Sequence, residues 1–393
     1  MFTHSPLFLC TTLFSGAICS LFFTDSVIGA DQYRIYVGTY TRGSESQGIY
    51  QLRLDGKTGQ LTHVDTTENV VNPSFLAIHP TQKYLYAVNE INDFQGQKAG
   101  AVSAFAIDAN SGKLKFLNQQ TSRGGAPCHL VVDQTGKFVL VANYSGGNLC
   151  SLPIQSDGSL KPATAFVQHT GSSVNPARQT APHAHSINLD LKNRHAIVAD
   201  LGIDELRVYD FNPINGSLEP NQVPGIKMAP GAGPRHFAFH PSGKWGYVIN
   251  ELNLTVTAMD YHEKNGTFEI VQNISTVPDG TGRKGNSTAQ VLVHPSGKFL
   301  YGSNRGPNTI AMYQVDQKNG KLKSLGYQPT GGKIPRNFNI DPSGNYLLAA
   351  NQDSNNVVVF KINQETGLLQ PTGSEVDVPK PVCIQFLPVT TTR

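Results

Sequence analysis

Charge is scarce in this chain. Lysine, arginine, aspartate and glutamate make up 15% of the 393 residues, and the formal net charge is only +3. No Lys/Arg-rich run occurs, so a nucleic-acid role has no electrostatic footprint to rest on. Cysteine is scarce too. There are five, none in C-x-x-C spacing, and Cys128, Cys150 and Cys383 read as small buried hydrophobes rather than metal ligands. After the first thirty residues no hydrophobic stretch is long enough to span a bilayer, so no further membrane contact is expected. Low charge here does not mean disorder. With 39% hydrophobic residues, 38 glycines and 24 prolines, the composition is that of a turn-rich globular protein.

The first thirty residues stand apart. From Pro6 to Phe23 the chain is almost wholly apolar or small, and Ile28-Gly29-Ala30 offers a small-residue cleavage site before Asp31. That pattern predicts a secretory signal peptide over 1–30 and an exported, periplasmic or secreted, mature chain over 31–393. An uncleaved N-terminal anchor is the alternative, since the apolar run sits at the lower limit for crossing a bilayer. Cys10 and Cys19 belong to this segment.

The mature chain is written as one unit seven times. A short apolar strand ending in a polar residue recurs as Tyr84–Asn89, Phe138–Asn143, His195–Asp200, Trp245–Asn250, Phe299–Asn304 and Tyr346–Asn351, with Arg34–Thr39 as a seventh copy. Their final residues are 50, 54, 57, 50, 54 and 47 apart, the length a four-stranded propeller blade needs. Seven Gly-x-apolar turns accompany them, at Gly59, Gly112, Gly158, Gly216, Gly266, Gly320 and Gly367. Each follows a further strand, so it reads as the hairpin between the third and fourth strands. Together these features predict an all-β, seven-bladed β-propeller of four antiparallel strands per blade, in a single domain. Pro381–Phe386 matches a first strand and Tyr33–Tyr40 a second, so the ring should close by pairing the two ends. Closure removes the open sheet edge.

Strand direction then sorts the polar residues. The start of strand one and the end of strand two lie on the same face of the disc. Aligning on the recurrent Pro puts Ser74, Cys128, His185, Arg235, Ala289, Arg336 and Val382 in one ring at that mouth. The residues after strand two form a second ring: Tyr40, Glu90, Tyr144, Leu201, Glu251, Arg305 and Gln352. His183, His129 and His236 lie close by. Guanidinium groups converging on a funnel point to recognition of a carboxylate or phosphate. Asn or Asp closing strand two reads as a turn cap, and His79, His240 and His294 on the far face read as structural. His183 and His185 form an H-x-H pair, but no third ligand accompanies them, and no metal is expected.

These residues also resemble a known group. Tyr36-Val37-Gly38-Thr39-Tyr40-Thr41, Asn72–Pro80, Gly233-Pro234-Arg235-His236, Asn250-Glu251 and Ser303-Asn304-Arg305-Gly306 are similar to the seven-bladed lactonase propellers. The likeness covers roughly Tyr33 to Pro388. That group includes bacterial-type 6-phosphogluconolactonases and fungal carboxy-muconate cyclases. The resemblance implies a site of one His, two Arg and one Glu, falling on His185, Arg235, Glu251 and Arg305, with His183 as the other candidate for the His. It implies no essential metal or organic cofactor, and a small-molecule lactone as partner. Arg336, Glu90, His129, His183 and His236 would then bind substrate. Arg235 would stabilise the oxyanion and Glu251 or His185 would act as general base. A muconate-type cycloisomerase and a non-enzymatic binding propeller are the rival readings.

Overall fold

The structure is a computed structural model that describes residues 1–2 and 32–389; the leader expected over 1–30 lies outside them, apart from its first two residues. The described residues form seven four-stranded antiparallel sheets. In chain order their first and second strands are Leu76–Ile78 with Tyr84–Asn89, Pro127–Val132 with Phe138–Asn143, and Ala184–Leu189 with His195–Asp200. Then come Pro234–Phe239 with Trp245–Asn250, Ser287–Val293 with Phe299–Arg305, and Pro335–Ile340 with Tyr346–Asn351. The seventh blade joins the chain ends. Its first strand is Pro381–Pro388 and its second Gln32–Thr39, registered from Tyr33 opposite Pro388 to Thr39 opposite Pro381. The ring is a closed seven-bladed propeller. Among the described residues no helix is long and apolar enough to cross a membrane.

Neighbouring blades are fastened by a device that explains two sequence features at once. Three residues before Thr39, Asn89, Asn250 and Asn304, near the end of strand two, stands a tyrosine, and its hydroxyl donates to the carbonyl of the hairpin glycine one blade on. Tyr36 reaches Gly112 at 2.7 Å, Tyr86 reaches Gly158 at 3.0 Å, Tyr247 reaches Gly320 at 2.8 Å and Tyr301 reaches Gly367 at 2.8 Å. The glycine is required twice over. At Gly320 φ is +68°, and a Cβ would stand 2.5 Å from the ring of Trp245. On the far face, the imidazoles of His79, His240 and His294 accept the backbone N–H two residues on and donate from Nε2 to Gly136, Gly297 and Gly344 of the next blade. These three histidines are therefore fasteners.

The polar residues that close strand two are buried, as capping residues, but their partners differ from a simple turn cap. Asn89, Asn143, Asn304 and Asn351 donate to the carbonyls of Val71, Ser122, Thr276 and Thr330, in the segments arriving from the preceding blade. Asp200 instead accepts from the backbone N–H groups of His183 and Gly202 and from Nδ1 of His169, three donors that an amide oxygen could not serve equally.

Candidate active site

A β-bulge at the start of strand one builds the mouth. Pro234 pairs with Asn250 and His236 with Ile249, which leaves Arg235 as the extra residue. The same slip isolates His185, Arg336, Cys128 and Val382. A bulge re-aims side chains. Here it turns consecutive residues inward, so that Ser74, Cys128, His185, Arg235, Arg336 and Val382 line one pocket together with Tyr40, Phe75, Glu90 and His236. Ala289, the remaining member of that ring, contributes its carbonyl, which accepts from Arg235 Nη1 at 2.7 Å.

Glu251 sits at the centre of the charge network. It is 4% exposed, and three guanidiniums surround it. Arg178 Nη2 donates to Oε1 at 2.7 Å; Arg235 Nε and Arg305 Nη2 stand 3.1 and 2.8 Å from Oε2. Burial alone would raise its pKa, but Arg305, Arg235 and Arg178 outweigh that and hold it at about 2. Arg235 is 2% exposed. Burial, with Arg305 and Arg336 nearby, brings its pKa down to about 9, which leaves it charged at neutral pH. Arg305 is also fixed by the carbonyl of Thr288, at 2.7 Å from Nη2.

A second carboxylate occupies another arc of the mouth. Glu90 accepts from the hydroxyls of Tyr40, at 3.0 Å, and Ser74. Arg336 lies over the Tyr40 ring, 5.4 Å from its centroid, and donates to no protein acceptor among the described residues. Arg235 Nη2 is likewise unspent. Four guanidiniums against two carboxylates leave the mouth with an excess of positive charge, and the free N–H groups are where an anion or a developing oxyanion would find donors.

The histidines fall at three levels. His183 is partly buried near the rim; its ring stacks on Tyr144 with centroids 4.4 Å apart, and Nδ1 faces the Tyr144 carbonyl at 3.0 Å, which leaves Nε2 as acceptor. His185 lines the pocket, 3.7 Å from Cys128 Sγ through Nδ1. Burial first, then Arg235 and Arg336, depress its pKa well below the ordinary value, so it is neutral. His236 is neutral for the same first reason. His129 stands one layer deeper, its ring 4.1 Å from Phe75 and 5.3 Å from His236, facing away from the mouth pocket. Among the described residues no group of three or more His, Cys, Asp or Glu is arranged to hold a metal ion.

Arg178 was not legible as a site residue. It lies in the stretch between Gln168 and Ala184, the longest connection between blades, and aligns with no repeat position. That length on the mouth face is the one signal that marks it. The connection is anchored at its start by His169, whose Nδ1 donates to Asp200 at 2.6 Å while Nε2 accepts from the Tyr209 hydroxyl at 2.8 Å. Gln179 secures its other side by donating to the Leu201 carbonyl at 2.8 Å. Arg178 Nη2 also reaches the Tyr144 hydroxyl at 3.1 Å.

A closed seven-bladed ring with an arginine-rich set of acid and imidazole groups at one mouth defines a class of propeller with a chemically equipped channel. The chain belongs to the family described as lactonase, seven-bladed β-propeller, which matches residues 34–386. It is similar to the 6-phosphogluconolactonase of Formosa agariphila, 39% identical over 312 residues, covering 78% of this chain and 86% of that one. The 6-phosphogluconolactonase of Bacillus subtilis is 38% identical over 356 residues, 91% of this chain and 99% of its own. The solved structure of the periplasmic gluconolactonase of Pseudomonas aeruginosa superposes with a TM-score of 0.85 at 31% identity, covering 91% of this chain and all of that one.

Proposed function

We propose that the mouth hydrolyses the ester bond of a sugar lactone, as a carboxylic ester hydrolase acting through Arg235, Arg336 and His185. Relatives named for hydrolysis of 6-phosphogluconolactone and gluconolactone support that substrate class. The observation that carries the reading is the pair of unspent guanidinium donors, Arg336 and Arg235 Nη2, lining one pocket with a neutral imidazole.

Water attacks the lactone carbonyl, and the oxygen that becomes negative is met by Arg235 and Arg336 in a partly dry site. His185, already neutral, takes the proton from water and returns it to the ring oxygen as the C–O bond breaks, giving the open hydroxy acid. Glu251 is a poor base, because both its oxygens are engaged and its conjugate acid is strong. It serves as a positioning residue that fixes the arginines. Glu90, with Tyr40 and Ser74, accepts hydroxyls of the sugar.

The apolar leader and the periplasmic setting of the Pseudomonas relative support export of this chain too. An exported enzyme meets unphosphorylated lactones, and the positive mouth suits them as well as phosphorylated ones, since the oxyanion and the product acid are both negative. Replacing Arg235 by Ala should lower turnover by roughly 10² to 10³, as removing an oxyanion donor does. Near-full activity in a folded variant would sink the assignment.

A further inference from the structure

The propeller channel has a second chamber, on the other side of the histidine layer. It occupies about 330 Å³ and is lined by strand-one residues of all seven blades, on the side of the far face. Phe75, His129 and His236 floor it, and Phe75 and His236 are also part of the mouth pocket. Its volume lies within the range of small-molecule sites, roughly 300–1,000 Å³.

The lining is free of formal charge. Carboxamides project from four blades: Asn188, Gln290, Asn339 and Gln385. Ala77 and Val131 on adjacent blades, and Leu292 on a blade across the channel, add apolar lining. No Asp, Glu, Lys or Arg contributes, and the two floor imidazoles are neutral: His129 is brought down to about 3 by burial and then by Arg235, and burial lowers His236 likewise.

Much of this hydrogen-bonding capacity is unspent. The Asn188 amide bonds no protein group among the described residues, and its Nδ2 is buried. Gln290 uses Oε1 on His236 and leaves Nε2 free. Gln385 makes one long contact, from Nε2 to Cys383 Sγ at 3.9 Å, and leaves Oε1 free. Asn339 is different: it donates to the Ile384 carbonyl and accepts from the Ile340 N–H, so it forms wall rather than ligand contact.

We propose that this chamber is a binding site for a small neutral polyhydroxylated molecule, a monosaccharide or similar polyol. Hydroxyls pair with amides as both donor and acceptor, and the C–H face of a sugar ring packs on apolar lining such as the adjacent Ala77 and Val131. An anion or a cation would enter with no counter-charge and lose its hydration. The inference does not depend on the lactonase reading, since the mouth arginines take no part.

The test is calorimetric titration with methyl α-D-glucopyranoside, and with gluconate as the charged control, on the wild-type protein, Asn188→Leu, Gln385→Leu and Arg235→Ala. The glucoside should bind the wild type and Arg235→Ala with equal affinity, weaken at least tenfold in either leucine variant, and in Arg235→Ala, where the mouth has lost an anion-binding guanidinium, exceed gluconate. Circular dichroism melts identify any variant that fails to fold, and the other leucine variant then decides. Absence of glucoside binding up to 100-fold above a millimolar constant, about −4 kcal/mol, would leave the chamber to water and overturn the proposal. So would binding that is lost in Arg235→Ala but kept in the leucine variants, which would place the sugar at the mouth.

Discussion

Arg178 Nη2 donates to Glu251 Oε1 at 2.7 Å, so a residue of a surface connection completes the shell around a carboxylate that is 4% exposed. The side chain of Arg178 is itself 38% exposed, and its removal leaves Arg235 and Arg305 on Glu251. Arg178→Ala should therefore fold normally and lose about tenfold in kcat/KM through a looser mouth. Stopped-assay kinetics with melting curves check this; an unchanged kcat/KM would remove Arg178 from the site.

Glu251 is a different case. Glu251→Gln leaves three guanidiniums without their carboxylate, and breaking a buried pair from one side costs about 3–5 kcal/mol. Urea denaturation should show that loss together with a large fall in turnover. A stable variant that had lost activity alone would indicate proton transfer by Glu251 rather than positioning.

The pH dependence tests His185 as the base. His185 is held neutral far below its ordinary value, and Glu251 stays ionised down to about 2, so kcat should be level from about pH 7.5 to about 5. An acid limb within that range would contradict proton transfer by His185. On the alkaline side the active form is protonated Arg235. Turnover, corrected for spontaneous hydrolysis, should fall as pH rises through about 9.

The inter-blade fasteners act on stability alone. Tyr247→Phe removes a 2.8 Å bond and strands the buried Gly320 carbonyl, which should cost about 1–3 kcal/mol with kcat unchanged. A stability loss below a few tenths of a kcal/mol would show that water or another donor replaces the hydroxyl.

Much of the ring was legible because each blade repeats the same physical solution. Tyr84–Asn89, Phe138–Asn143 and Trp245–Asn250 are strands with the bounds that their apolar cores and polar ends predict, and Phe299–Arg305 runs one residue further. Closure through Gln32–Thr39 and Pro381–Pro388 followed from two unpaired half-blades. The bulge at Arg235 was not legible, because an extra residue shows only in the pairing register. Its effect is that Arg235 and His236 both face the channel, where strict alternation would have parted them. Arg178 escaped because repeats align strands, and its connection has no counterpart. His129 aligns with His236 and both line the deeper chamber, but only His236 also reaches the mouth.

The most direct measurement is hydrolysis of gluconolactone, with and without a 6-phosphate, by purified mature protein and by Arg336→Ala, above the spontaneous rate. The account predicts catalysis of at least one lactone by the wild type and a fall of roughly 10² in the variant, which lacks the guanidinium that lies over Tyr40 in the pocket. Equal rates in wild type and variant, or no catalysis of either lactone, would contradict a lactonase centred on the mouth arginines.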